Sequence, residues 1–112
     1  MLSVEALKAS KVDTEKGLSL CMNNEDFYLR MVAMALADQR FAQLRGTIDA
    51  GDLNAGFQLA HALKGVVGNL YLTPLYEPIS EMTELLRSRT QADYGPLLDR
   101  IEAQYAALTA LL

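Results

Sequence analysis

The chain has 112 residues and a formal net charge of −4, with 51% hydrophobic and 21% charged residues. That length suits one domain, 1–112, with a single core, and the acidic balance with scattered basic residues excludes a sequence-independent nucleic-acid binder and a strongly anionic membrane as partner. The lone cysteine, Cys21, rules out an internal disulfide. Glu5 and Lys8 interrupt anything like a signal peptide, and no apolar run approaches the ~20 residues of a membrane span, so a cytoplasmic protein is expected.

Residues 3–10 predict a short helix with Ser3 as N-cap. Asp13 predicts a second short turn through Leu18, Leu20 and Cys21, although Gly17 weakens it. Asn23 and Asn24 open the next helix, with Glu25 and Asp26 in its first turn, where the helix dipole favours acids. From Glu25 to Ala50 there is no proline, and Tyr28, Met31, Ala35, Ala42 and Ile48 recur near the helical period. One long helix over 25–50, bent near Asp38–Arg40, is predicted. Ala50-Gly51-Asp52 reads as a turn, with Gly51 after one helix and Asp52 capping the next.

The next helix is predicted over about 53–70 and contains the only histidine, His61. At about 100° per residue, Leu59, Leu63, Val66, Val67 and Leu70 form a stripe for a core. His61 lies opposite, among Asn54, Phe57, Gln58, Lys64, Gly65 and Gly68. Gly65 and Gly68 fall one and two turns on, within about 40° and 20° of the direction of His61. Glycine inside a helix costs ~0.8–1 kcal/mol relative to alanine. A core-packing need would place such small residues on the apolar side. Here they clear space beside a nucleophilic ring, with Lys64 one turn away as a fixed positive charge. The arrangement suits a partner protein that brings an anionic group up to His61.

Thr73-Pro74 predicts a cap followed by an N1 proline, with Leu75, Ile79, Met82 and Leu86 on one face. Pro78 lacks the N–H that would bond residue 74, so the regular helix is expected to begin nearer 77 or to have a distorted first turn. After a polar connection over 88–92, Asp93-Tyr94-Gly95-Pro96 opens the last helix, with Leu97, Leu98, Ile101, Tyr105, Leu108 and Leu112 facing inward. Short connections between four substantial helices predict an all-α, antiparallel up-down four-helix bundle with a short extra N-terminal helix.

The stretch His61-Ala62-Leu63-Lys64-Gly65-Val66-Val67-Gly68-Asn69-Leu70 closely resembles the motif of histidine-containing phosphotransfer (HPt) domains, His-x-Leu-Lys-Gly followed by small residues and Asn-Leu/Ile-Gly. Tyr71 stands where the family usually has glycine, so the shape of the helix end is where the chain departs from it. The resemblance runs over most of the chain and implies the same antiparallel bundle. It also implies a phosphoryl relay: His61 would attack the aspartyl-phosphate of a response-regulator receiver domain, and a second receiver's aspartate would take the group on. The chain would have no kinase activity and no cofactor of its own, the receiver bringing the Mg²⁺. His61, Lys64 and Gly65 would carry the transfer. Phe57, Gln58 and Gly68 would meet the partner, Phe57 being equally readable as a core residue at the edge of the stripe. A neutral imidazole, with an unperturbed pKa near ~6.5, is largely nucleophilic at neutral pH. The partners implied are receivers, with a hybrid histidine kinase as a further one, and the state implied is a monomer.

Other readings are a phospho-acceptor domain of a larger histidine kinase and a non-phosphorylated adaptor bundle. Met1 favours a free-standing protein. A haem bundle would use His61 with one of five methionines, but one histidine and one cysteine are too few for a typical zinc site. There is no nucleotide-binding glycine loop. Asn69, about 80° from His61, is expected to make a structural hydrogen bond, and Cys21 to be a small buried hydrophobe.

Overall fold

Helix starts in this chain are set by short polar side chains that take up free backbone N–H groups. The computed structural model describes residues 1–112. It contains α1 (Val4–Ala9), α2 (Thr14–Leu20), α3 (Glu25–Leu36), α4 (Arg40–Asp49), α5 (Leu53–Asn69), α6 (Thr73–Arg87) and α7 (Gly95–Thr109), with no strand. Ser3 Oγ accepts from the Ala6 N–H at 3.1 Å, Asp13 from Lys16 at 3.3 Å, Asn24 from Phe27 at 3.0 Å and Asp52 from Ala55 at 3.0 Å. Gly51, at φ +82°, makes the turn between α4 and α5 that the sequence predicts. The fold is all-helical, as expected, with α1 as the short extra N-terminal helix and a second helix, α2, where a short turn after Asp13 was expected.

Three boundaries differ from expectation. The long helix over 25–50 is broken, not bent. The Asp38 carboxylate accepts the Arg40 backbone N–H at 2.9 Å and grips the Arg40 guanidinium through both oxygens, so local side-chain bonding replaces a helical turn between α3 and α4. Thr73 is the first residue of α6 rather than its cap, and its hydroxyl donates to the Tyr71 carbonyl at 3.2 Å. Pro78 lies buried inside α6, which starts at Thr73 and so not nearer 77, the first of the two courses expected. In α7, Leu98, Ile101 and Leu108 are buried, Leu97 and Tyr105 are half-buried, and Leu112 lies exposed beyond the helix end.

Consecutive helices α4 to α7 pack against one another across short connections, and α3 closes the bundle against α7. Their stripes meet in one cluster of 22 buried residues. Leu63, Val67 and Leu70 of the predicted α5 stripe enter it fully, with Ala60 beside them, while Leu59 and Val66 stay half-buried at its edge. Cys21 is buried, as expected of a small hydrophobe. Across the bundle wall, Arg45 of α4 reaches Asp99 at 2.6 Å and Glu102 at 2.8 Å on α7.

Tyr28 of α3, together with Asp13 at the start of α2, closes one end of the bundle, where α5 stops. The Tyr28 hydroxyl donates to the Leu70 carbonyl at 3.0 Å, and the Asp13 N–H donates to the Tyr71 carbonyl at 3.2 Å. The C-terminus of α5 is a Schellman turn: Leu72 N–H bonds Val67 C=O at 3.0 Å and Tyr71 N–H bonds Gly68 C=O at 3.2 Å. Tyr71 takes the left-handed conformation, φ 56°, that such a turn requires. The helix end therefore keeps the shape that a glycine would give it, in spite of the side chain.

Candidate functional site

The site forms on the outer face of α5. His61 is exposed near the middle of that 17-residue helix, with its N-terminus held by the Asp52 cap and its C-terminus by the bonds from Tyr28 and Asp13. The hydrogen bonds between side chains, and from side chains to backbone, leave both ring nitrogens of His61 free. A groove of about 540 Å³ runs from His61 past Lys64, Gly65 and Gly68 to Tyr71, with Tyr76 of α6 alongside. Lys64 is half-buried and takes part in none of the ion pairs, so its ammonium is the uncommitted positive charge of the groove.

The two glycines differ. A Cβ built on Gly65 meets nothing within 4 Å, so the space beside His61 is open, as the sequence implies. A Cβ on Gly68 would lie 3.0 and 3.2 Å from ring carbons of Tyr76. Gly68 thus has a structural use: it lets an aromatic ring from α6 lie on α5. The expectation that both glycines merely clear the outer face is corrected for Gly68.

Phe57 is half-buried against the core, and its ring stacks on that of His61 with centroids 5.5 Å apart and planes 17° from parallel. Gln58 is exposed. Asn69 is also exposed and borders the groove, and no side-chain hydrogen bond fixes it, contrary to the structural role expected for it.

Sequence reasoning missed Tyr76, Arg87 and Arg89. The guanidinium of Arg87 lies 5.2 Å from the Phe57 ring centroid, and that of Arg89 lies 4.9 Å from it. All three come from α6 or the turn after it, and nothing within the His61 stretch signals them. Lys16 of α2 sits 5.9 Å over the Tyr71 ring at the far end of the groove.

No three His, Cys, Asp or Glu side chains come together as metal ligands would, and no helix is long and apolar enough to cross a membrane. An exposed, unbonded imidazole on a rigid helix, with a cation nearby and open space one turn on, can act as a nucleophile toward a group carried by a large partner.

A family model described as Hpt domain matches residues 29–111, roughly three-quarters of the chain, from α3 to the end of α7. No curated protein and no solved structure matches the sequence.

Proposed function

The chain belongs to the Hpt domain family, and from that premise we propose that it is a phosphorelay intermediate that accepts a phosphoryl group on His61 from a receiver-domain aspartate and passes it to another receiver. The family membership carries phosphotransfer in two-component signalling and interaction with receiver domains. The observation that supports His61 as the acceptor is its exposed ring beside the open space at Gly65.

In the first step a lone pair of the imidazole attacks phosphorus. The N–P bond forms as the P–O bond to the receiver's aspartate breaks, and the carboxylate leaves with the bonding pair. The second step reverses these roles with another aspartate. Such transfer depends on positioning and on stabilising charge spread over the phosphoryl oxygens. Lys64 supplies positive charge from this side, and the receiver supplies its own Mg²⁺, so the chain needs no cofactor. Gly65 admits the receiver's phospho-aspartate. Gln58 lies on the surrounding docking face, with Gly68 keeping Tyr76 at its border. Under this reading the chain, 1–112, works as a single monomeric domain in the cytoplasm without kinase activity of its own.

Incubation with phosphorylated receivers tests the reading. The expected label is on His61 alone, lost in acid and kept in base as a phosphoramidate is, and absent from His61→Gln. An acid-stable label, or one that survives His61→Gln, refutes the relay. Labelling by a histidine kinase but by no receiver assigns the chain instead as a kinase's acceptor domain.

A further inference from the structure

The one nucleophilic lone pair of a neutral imidazole lies in the plane of its ring, on the nitrogen that carries no proton. The tilt of that plane therefore sets the direction of attack, and in-line displacement at phosphorus demands a narrow range of directions. An exposed histidine ordinarily samples its rotamers on the ps–ns scale. Hydrogen bonds are the usual restraint, but each one occupies a ring nitrogen. A ring stacked on the imidazole face restrains the tilt and leaves both edges open.

Phe57 occupies that position. It lies one helical turn before His61 on the same face of α5, 17° from parallel, and packs in part against the core. The Arg89 guanidinium 4.9 Å from its ring centroid adds a cation to the electron-rich face. Arg89 is itself fixed. It stands in the left-handed conformation, φ 52°, in the turn after α6, and donates to the carbonyls of Leu86 at 2.6 Å and Arg87 at 3.1 Å and to Asn54 Oδ1 of α5. A ladder of Arg89, Phe57 and His61 thus runs from the end of α6 to the middle of α5.

We propose that Phe57, braced by Arg89, is a positioning residue that holds the His61 ring plane for in-line transfer, a role that rests on the relay reading above. It differs from the docking role that the sequence implies for Phe57, because the ring packs on the core, on His61 and beside arginines, and its contribution is made before any partner arrives.

The test compares wild type with Phe57→Leu, Phe57→Tyr and Arg89→Gln. Three quantities are read: single-turnover transfer from a phosphorylated receiver, affinity for that receiver, and the chemical shifts of the His61 ring protons. Phe57→Leu keeps the apolar bulk against the core and should slow transfer about tenfold, within the range that misalignment of reacting groups produces. Receiver affinity should change less than about twofold, and the ring protons should move downfield as the aromatic ring current is lost. Phe57→Tyr should restore both rate and shifts, and Arg89→Gln should slow transfer about threefold by loosening the stack. Wild-type transfer by Phe57→Leu, unmoved ring protons, or an affinity loss that accounts for the whole rate loss overturns the proposal and leaves the relay standing. A wild-type chain that no receiver labels overturns the relay, and this proposal with it.

Discussion

Gly65 and Gly68 stand three residues apart on one face of α5, yet they are small for different reasons. At Gly65 a side chain meets no neighbour, and the dihedrals are those of an ordinary helix residue. Gly65→Gln should therefore raise stability by up to about 1 kcal/mol, since glycine is the poorer helix former. The new side chain stands about 40° round the helix from His61, where under the proposed relay a phospho-aspartate would enter, so transfer should fall sharply. Thermal unfolding and a receiver-to-His61 transfer assay on this one variant separate the two effects. Retention of full transfer speed would show that the open space serves no partner. This glycine was legible in the sequence because its argument needs only helix geometry and the position of His61. Gly68 was not, since its reason is Tyr76, which a turn and a second helix bring into place. Arg89 was illegible for the same cause: its partners Asn54 and Phe57 lie more than thirty positions earlier.

At the scale of the helices, starts were legible wherever a single side chain makes the cap, as at Ser3, Asp13, Asn24 and Asp52. The break between α3 and α4 is legible only as a bend, because no proline or glycine marks it. The Asp38 carboxylate makes it, and the same Arg40 hydrogen bonds hold that carboxylate below its usual pKa. Tyr71 shows that a turn can impose its conformation on a residue that the motif does not favour, at a cost on the order of 1–3 kcal/mol. Gly17 is the converse. Its place in the short α2 looked like a weakness, but the position requires glycine. A Cβ there would lie 2.5–2.7 Å from the Tyr28 ring and hydroxyl, and Tyr28 is fully buried and tied to Leu70. Gly17→Ala gains up to about 1 kcal/mol of helix propensity but overpacks a filled site, at a cost of about 1–3 kcal/mol. With the full gain, the net expectation is a loss of up to about 2 kcal/mol, read by urea unfolding. A gain would show that the Tyr28 ring moves aside freely.

For the molecule as a whole, the order of the bundle followed from short connections between amphipathic helices, whereas the closure of its end did not, because it depends on Tyr28 of α3, packed on Gly17 of α2, reaching a carbonyl 42 residues away. That closure has a measurable signature. Burial raises the Tyr28 hydroxyl from 10.0 to about 12, with Cys21 and Asp13 adding in the same direction. Between those values the native state keeps a proton that the unfolded chain has lost, so stability is complete below pH 10 and falls as pH rises toward 12. At about 1.4 kcal/mol per pKa unit the loss reaches about 2–3 kcal/mol. Tyr28→Phe removes the titrating group but leaves the Leu70 carbonyl without its donor, which should cost about 1 kcal/mol at pH 7. Urea unfolding of both chains at pH 7, 9 and 11 should show the variant less stable at the two lower values and the gap narrowing or reversing at pH 11. Tyr94, whose hydroxyl is also raised by burial, is present in both chains, so its contribution cancels in the difference. A gap that stays constant across the series would mean that Tyr28 reaches solvent in the native state, and that the end of the bundle where the His61 helix stops is not sealed.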